Sequence, residues 1–357
     1  MCIRDRSNTT FYIKVYVKDS NGKSSSVFTT SNSTILTIAD YVISQYTGTQ
    51  GSNGIYYHDS SLTNGAGDNS YRFAGTNPNN YVCFGSDATT CPEDNLYRIV
   101  GIFGDNVKLV KAYPATRKLL GEDGAYYGFY ENTKFWSLKL YVSDEINYSN
   151  YYWNKATGTN KWSESDLNKI NLNTNFINNI GSAWANKIAT TTWKVGGNTY
   201  ANIKDVVPAT AYQNEVVNPT SGSYSTTGET TYEAKIGLMY VSDYGFAARS
   251  SAWTTTLYNY DGYDDNNVAI KDTNWMFIGS DIWTISRIAE ISDRVFYVES
   301  IGFKTEGTHG NISDIPVNNN GGSGVNVVFF LNSFVTYVSG SGTCLLYTSP
   351  SPRDRTR

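Results

Sequence analysis

Short apolar runs, each bounded by Gly, Asn or Asp, recur along the chain and constrain its fold more than any other feature. They lie at residues 81–84, 96–103, 107–110, 282–287, 295–298 and 325–331. Runs of this length and punctuation are typical of strands joined by tight turns. Because Gly104-Asp105-Asn106 separates two of them, residues 96–110 predict a hairpin with one buried face. The pattern therefore predicts a mainly antiparallel structure.

Two further segments have the residue pattern of helices. Residues 37–44 place apolar side chains at helical spacing, before a Gly-rich stretch at 48–54. Residues 162–188 form a longer helical region, in which we expect Ser163 to cap the first turn. Asparagines at 171 and 173–175 weaken its middle, so the prediction is two short helices and not one long one. Short antiparallel strands with two or three helices and many loops define a compact α+β domain.

Residues 7–36 differ in pattern from the rest of the chain. Residues 11–17 form one predicted strand, Asp19-Ser20-Asn21-Gly22 predicts a turn, and residues 23–30 return as a second strand. Because an isolated hairpin is marginally stable in water, we expect residues 7–30 to be the remnant of an upstream Ig-like β domain. Residues 31–36 are then a linker, and residues 37–340 form a second domain.

The two ends of the chain, residues 1–6 and 344–357, resemble translated sequencing-adapter sequence. We expect both to be artefactual ends of a longer native protein. Without Cys2 and Cys344, Cys83 and Cys91 remain, separated by a loop that contains Gly, Ser, Asp and Thr. This spacing favours a local disulfide, with two free thiols or half of a zinc site as the alternatives. A disulfide predicts an oxidising, extracellular compartment.

Composition and charge exclude two classes of partner. The 28 Lys and Arg are spread thinly over a chain of net charge -4, whereas surfaces that bind nucleic acid need clustered basic side chains. The same argument excludes a polybasic membrane-binding patch. No apolar run approaches the roughly 18 residues of a membrane-spanning helix, so we expect no transmembrane segment in this sequence.

A series of motifs between residues 71 and 337 links the chain to a known family. They are Tyr71-Arg72-Phe73-Ala74-Gly75, Leu96-Tyr97-Arg98-Ile99-Val100-Gly101, the helical region 162–188, Lys235-Ile236-Gly237-Leu238-Met239-Tyr240-Val241-Ser242, Trp283-Thr284-Ile285-Ser286-Arg287 and 324–331. Their order resembles that of uncharacterised bacterial surface domains in the formylglycine-generating-enzyme and C-type-lectin-like group. The resemblance implies a compact, loop-rich scaffold on a secreted or cell-wall-attached protein, without an established reaction. Such domains close with Gly-Val-Arg-Pro, whereas this chain has Gly324-Val325-Asn326-Val327, so a role for that arginine is not carried over.

Side chains that could catalyse a reaction near neutral pH are few. We expect the two histidines, His58 and His309, to lie in exposed loops. Nucleophile-elbow, metalloprotease and dinucleotide-binding motifs are absent from the sequence, and no native cysteine follows Cys91 to supply the reactive pair of formylglycine-generating enzymes. The acids that a glycosidase would need fit solvated loop and strand-edge positions better; they are Asp243, Glu290, Asp293 and Glu299. We therefore predict no catalytic residue.

Aromatic side chains are the candidates for ligand recognition. Tyr accompanies Asn, Ser and Gly at residues 148–154 and 258–263. This is the composition of recognition loops, because Tyr gives a large contact area with few rotatable bonds. The candidate binding residues are Tyr151, Tyr152, Trp153, Tyr258, Tyr260, Tyr263, Trp283 and Arg287. The alternative is that these rings pack on the sheet.

One segment offers oxygen ligands for Ca²⁺. It spans residues 261–267, and Asp261, Asp264 and Asp265 are the candidate ligands. It lacks the Gly at the sixth and the Glu at the twelfth position of an EF-hand, so a plain turn is the alternative. We expect no obligatory cofactor, and Ca²⁺ is the one candidate.

These observations favour a non-catalytic extracellular binding or adhesion module on a bacterial multidomain surface protein, with a glycan or a protein as its ligand. A secreted carbohydrate-active enzyme that uses paired carboxylates is the alternative hypothesis, and a purely structural spacer is the third.

Overall fold

The computed structural model describes residues 9–15, 28–34, 36–86, 88, 90–133, 146–197, 206–219, 229–301 and 308–336. Short strands and short helices alternate through these ranges, which confirms the mixed α+β class. None of the described helices combines the length and hydrophobicity needed to cross a bilayer.

The strands, in chain order, are β1 (Thr9–Val15), β2 (Phe28–Thr34), β3 (Ile55–His58), β4 (Ser70–Phe73), β5 (Tyr81–Cys83), β6 (Leu96–Phe103), β7 (Asn106–Lys111), β8 (Tyr126–Thr133), β9 (Ile146–Tyr151), β10 (Thr191–Lys194), β11 (Thr231–Ala234), β12 (Ile236–Gly237), β13 (Ile282–Arg287), β14 (Arg294–Ile301), β15 (Thr308–Pro316) and β16 (Val328–Phe330). The helices are α1 (Ile38–Ser44), α2 (Arg117–Leu120), α3 (Leu167–Phe176), α4 (Ile177–Asn179), α5 (Ser182–Ala185), α6 (Pro208–Tyr212), α7 (Gln213–Val217), α8 (Val241–Ala247) and α9 (Ile270–Thr273), of which α3 and α7 are π-helical. Single 3₁₀ turns lie at Ser52–Gly54, Glu93–Asn95, Ser250–Ala252 and Leu257–Asn259.

The largest sheet has seven strands in the order β12-β16-β7-β6-β4-β3, with β5 also pairing with β6. A second sheet has the order β13-β14-β15, and β1-β2, β8-β9 and β10-β11 form two-stranded sheets. Every pairing between these strands is antiparallel, as the sequence predicts. The predicted hairpin at residues 96–110 is the pair β6 and β7 at the centre of the largest sheet.

One large cluster of buried apolar side chains joins the two larger sheets to the helices. It includes Leu109 of β7, Trp283 of β13, Leu172 of α3 and Tyr244 of α8. A smaller cluster packs Tyr212, Phe246 and Trp253 together against Tyr56, at the β3 end of the largest sheet. This second cluster supports the surface beside Tyr56.

Strand β3 forms one edge of the largest sheet, and its exposed backbone groups are covered by the chain that precedes it. The Gln50 side-chain amide both accepts from the Tyr57 N–H and donates to the Tyr57 carbonyl, each at 2.8 Å. The Gly51 N–H donates to the Ile55 carbonyl at 2.9 Å. An uncovered sheet edge can pair with a strand of another chain. Because the preceding segment occupies these backbone groups of β3, it protects the edge from such pairing.

The first predicted helix is confirmed as α1. Its N-terminus has a capping box, in which the Asp40 N–H donates to the Thr37 hydroxyl at 3.0 Å and the Thr37 N–H donates to the Asp40 carboxylate at 3.2 Å. Apolar side chains at Ile38 and Val42 face the core. Local sequence signals therefore specify this helix.

The longer helical region does divide, but at Gly181, between α4 and α5, and the predicted break at its asparagines is wrong because α3 and α4 are continuous. The Asn171 Oδ1 accepts from the Ala125 N–H at 2.9 Å, and its Nδ2 donates to the carbonyls of Leu120 and Asp123 at 2.8 and 3.1 Å. Asn175, one turn later, donates to the Leu120 carbonyl as well. Because these amides bind backbone groups of another segment, they do not compete with the hydrogen bonds of the helix.

Two boundaries also differ from the prediction. Ser165 and not Ser163 accepts a hydrogen bond at the start of α3, from the Asn168 N–H at 3.1 Å. The N-terminal hairpin is present as β1 and β2, but β2 extends to Thr34, into the segment interpreted as a linker. Its Ser and Thr residues suit an extended backbone, and pairing with β1 satisfies their backbone groups. The predicted turn at residues 19–22 lies outside the described residues.

We predict that Asn171→Ala lowers the free energy of unfolding by about 2 kcal/mol, because it leaves the buried Ala125 N–H unpaired and removes one of the donors to the Leu120 and Asp123 carbonyls. Asn178 of α4 is exposed and serves as the matched control. Asn178→Ala should change the same free energy by less than about 0.5 kcal/mol. Urea unfolding followed by tryptophan fluorescence measures both. Equal, small effects of the two substitutions would show that the Asn171 side chain does not tether this helix.

Candidate functional site

An open depression lies where residues 50–63 meet residues 250–253. Its volume is about 540 Å³, and its lining residues are Gln50, Tyr56, Ser61, Leu62, Thr63, Ser250, Ser251 and Trp253. Most of these side chains carry a hydroxyl group, three are apolar or aromatic, and none of the eight is charged. Its volume lies within the usual range of sites for small ligands, and its lining is more polar than is common for them.

The aromatic corner of the depression is held in place from behind. Tyr56, on the edge strand β3, meets Trp253 with ring centroids 4.9 Å apart and planes at 65°. The Tyr56 hydroxyl lies 3.1 Å from the Ser250 Oγ, and the Trp253 indole N–H donates to the Ala248 carbonyl at 3.0 Å. Trp253 is almost entirely buried, so it supports the floor while Tyr56 and Leu62 present the accessible apolar surface.

His58 lies beneath this corner, and the expectation of an exposed loop histidine is wrong. It ends strand β3, is completely buried, and its Nδ1 accepts from the Ala66 N–H at 3.0 Å. The rings of Phe246 and Trp253 pack on it, with centroids 4.9 and 5.1 Å away. Burial, with a further contribution from Arg72, holds the pKa of His58 well below its usual value. A neutral, enclosed imidazole of this kind packs the interior.

A network of charged side chains lies under the same cluster. Arg72 of β4 contacts Asp68 with Nη2 to Oδ2 at 2.6 Å, and the Tyr212 hydroxyl donates to the same carboxylate at 2.8 Å. Lys108 of β7 contacts Asp243 of α8, with Nζ 2.5 Å from Oδ2. The other oxygen of Asp243 lies 3.8 Å from the Arg72 Nη1. Asp243 is only 3% exposed, so the prediction that it is a solvated surface charge is wrong.

Glu215 is a second buried acid beside this network. It lies on the π-helix α7 and is 1% exposed. Its carboxylate accepts from the Ser242 N–H at 2.7 Å and from the Ser286 hydroxyl. Burial raises the pKa of Glu215 to about 7, although both hydrogen bonds act in the opposite direction. Glu215 and Asp243 are thus two buried acids that act on each other electrostatically, but neither lines the depression.

Five of the eight predicted binding residues are buried, which corrects their assignment to a recognition surface. The polar ends of their side chains find backbone carbonyls in the interior: Tyr151 donates to Gly121 at 2.8 Å, Trp153 to Thr284 at 3.0 Å, Tyr260 to Gly245 at 3.1 Å, Trp283 to Tyr151 at 2.7 Å and Arg287 to Val195 at 2.8 Å. Aromatic rings with satisfied polar groups stabilise a core as readily as they bind a ligand. The packing alternative therefore holds for this subset.

The other three predicted residues remain at the surface. Tyr152 is half-buried and contacts Tyr127 with ring centroids 5.3 Å apart. Tyr258 and Tyr263 are 45% and 66% exposed. None of these three lines the depression at Tyr56.

The candidate calcium segment forms a turn, and the side chain of Asp264 points inward. The prediction of Asp264 as a calcium ligand is therefore corrected, because protein groups already contact both of its carboxylate oxygens. The Asp264 Oδ1 accepts from the N–H groups of Asn266 and Val268, each at 3.0 Å. Its Oδ2 contacts the Arg249 guanidinium and accepts from a serine hydroxyl. Asp265 accepts from a threonine hydroxyl at 3.2 Å. Within the described ranges, no three His, Cys, Asp or Glu side chains come together to hold a metal ion.

Cys83 and Cys91 form the predicted disulfide, with Cα atoms 5.6 Å apart. Cys83 belongs to β5, which pairs with the central strand β6. The bond therefore attaches the loop after β5 to the largest sheet.

Sequence reasoning did not find the residues of the depression. Gln50, Tyr56, Ser250 and Trp253 come from two segments about 190 residues apart, so no spacing within a motif relates them. The one local signal is Ser250-Ser251-Ala252-Trp253, where small hydroxyl residues precede an aromatic side chain. No protein-family model, curated protein or solved structure matches this chain. Its function is therefore inferred from the geometry of these sites.

We predict that the free energy of unfolding falls as pH rises from about 4.5 to about 7, because folded Glu215 keeps a proton that unfolded Glu215 has lost. The fall attributable to Glu215 is roughly 3 kcal/mol. Glu215→Gln should remove it, so the variant gains stability over the native protein above neutral pH and gains little at acid pH.

Thermal and urea unfolding across this pH range measure the difference between the two proteins. Glu233→Gln, at an exposed position of β11, is the matched control and should show no pH-dependent difference. A constant difference between Glu215→Gln and the native protein at all pH values would contradict the raised pKa.

Proposed function

We propose that this protein is a non-catalytic binding or adhesion module and that the depression at Tyr56 binds a neutral carbohydrate. The observation that carries the proposal is the chemistry of its lining. Apolar surface from Tyr56 and Leu62 lies beside the hydroxyl groups of Ser61, Ser250 and Ser251. A sugar ring presents apolar C–H faces together with hydroxyl groups, so it matches both halves of this surface.

The absence of charge among the eight lining residues narrows the ligand class. An acidic sugar or a phosphorylated ligand needs basic side chains to offset the cost of removing its charge from water. The nearby cations, Arg72 and Arg249, are engaged with Asp68 and Asp264. A neutral glycan therefore fits better than a charged one.

We further propose that residues 37–340 form a domain of the formylglycine-generating-enzyme and C-type-lectin-like group, carried on a bacterial multidomain surface protein. Small antiparallel sheets joined by irregular segments are compatible with this assignment. The disulfide Cys83–Cys91 supports an extracellular location, because such bonds persist in oxidising compartments.

The alternative proposal, a secreted carbohydrate-active enzyme with paired carboxylates, has less support. Glu215 and Asp243 are both buried, and each already has partners: two hydrogen-bond donors for Glu215, and Lys108 for Asp243. A polysaccharide would need to reach both acids, and the depression includes neither.

A glycan array followed by calorimetry tests the proposal. We expect binding of a neutral glycan that is equal with Ca²⁺ or with a chelator and insensitive to salt, because no charged group lines the depression. Tyr56→Ala should weaken binding about tenfold, or ~1.4 kcal/mol. Tyr258→Ala, which removes an exposed ring outside the depression, is the matched control and should bind normally.

Loss of binding in Tyr258→Ala with normal binding in Tyr56→Ala would move the site to the predicted tyrosine loops. The absence of any glycan ligand would reject the carbohydrate proposal. Hydrolysis of a bound polysaccharide that Glu215→Gln abolishes would establish the enzymatic alternative.

A further inference from the structure

Lys108 and Asp243 form a contact between elements that are distant in sequence. Lys108 belongs to β7 at the centre of the largest sheet, and Asp243 belongs to the first turn of α8, 135 residues later. Both side chains are 2% exposed, and Nζ lies 2.5 Å from Oδ2. The amine and the carboxyl group are therefore held together in the interior of the protein.

The surroundings of the amine are mostly aromatic. Its Nζ lies 4.6 to 5.9 Å from the ring centroids of Phe103, Trp193, Tyr240 and Phe330. Burial lowers the pKa of Lys108, against the opposing effect of Asp243. Burial disfavours the charged ammonium, so the neutral amine of Lys108 forms more easily here than it would in water. A neutral amine is the nucleophilic form of lysine.

The carboxyl group of Asp243 is oriented by its other contacts. Its Oδ2 also accepts from the Tyr240 N–H at 2.9 Å. Its Oδ1 faces the guanidinium of Arg72, 3.8 Å from Nη1. A cation at this position stabilises negative charge that develops on Oδ1 when the carbon is attacked. The arrangement thus contains a nucleophile, an electrophile in contact with it and a group for the oxyanion.

We propose that Lys108 and Asp243 condense to an intramolecular isopeptide bond that joins β7 to α8. After proton transfer within the pair, the Lys108 amine attacks the Asp243 Cγ and gives a tetrahedral intermediate with its negative charge on Oδ1, beside Arg72. The nitrogen loses a proton, Oδ2 accepts the protons and leaves as water, and the C–N bond becomes an amide. An ammonium and a carboxylate yield one amide and one water, so atoms and charge balance without an oxidant or a co-reactant.

The bond would form a covalent link between a strand and a helix that are far apart in the sequence. It closes a loop of 135 residues between a central strand and a helix, and such a link restricts the unfolded chain. Formation of the bond does not depend on which ligand occupies the depression at Tyr56, because neither residue lines it.

Intact mass spectrometry of the whole chain, denatured and treated with a reductant to remove the contribution of the disulfide, tests the inference. We expect a mass lower than that of the sequence by one water molecule. Protease digestion should release a branched peptide that contains Lys108 and Asp243. Lys108→Arg keeps a cation beside Asp243 but removes the amine, so this variant should keep its full mass and unfold at a lower temperature.

Lys111→Arg is the matched control, because Lys111 is the other buried lysine of β7 and its Nζ donates to the Glu93 carbonyl. It should retain the loss of one water. If Lys108→Arg does not fold, the double variant Lys108→Met with Asp243→Leu removes both charges together and should also show full mass. Full mass and no branched peptide in the native protein, after prolonged incubation at neutral pH, would show an ion pair only and overturn the proposal.

Discussion

The pairing of Asp243 with Lys108 fixes the position of helix α8 against the largest sheet, and the depression at Tyr56 depends on that position. A carboxylate and an ammonium are costly to bury, and removing one partner of such a pair typically costs about 3–5 kcal/mol. Here Asp243 also caps its own helix, through the Tyr240 N–H. The same side chain thus starts α8 and attaches it to β7. A shift of α8 would leave one of these groups without its partner in the interior.

Aromatic side chains connect helix α8 to the depression. Phe246 of α8 lies 5.0 Å from the Arg72 guanidinium and meets Trp253 nearly at right angles, with centroids 5.5 Å apart. Trp253 in turn supports Tyr56. The ionic network, the buried rings and the accessible surface form successive layers, so the depression is positioned by the interior below it and not by its own loops alone. A rigid support of this kind lowers the cost of ordering a binding site.

The features that the sequence predicted correctly are those that interactions between nearby residues determine. The capping box at Thr37, the hairpin at residues 96–110 and the disulfide between Cys83 and Cys91 each involve groups that are near in the chain. Whether the tyrosines and asparagines are buried was harder to predict, because the same side chains occur both in protein cores and in binding loops. Trp283 and Asn171 can be buried because their side-chain N–H groups donate to backbone carbonyls of residues far away in the sequence. Sequence composition alone does not reveal whether such a partner exists.

The sites themselves could not be read from the sequence because each joins segments that only the fold brings together. Asp243 comes after a strand signal and has no charged neighbour in sequence that predicts burial, yet two cations from β4 and β7 surround it. In this arrangement the charged side chains of the network lie in the interior and not in the depression. Buried acids and bases neutralise one another below, while the depression above presents hydroxyl groups and rings. Titration of Glu215 near neutral pH therefore acts on the stability of the scaffold, whereas none of the eight residues that line the depression at Tyr56 is charged.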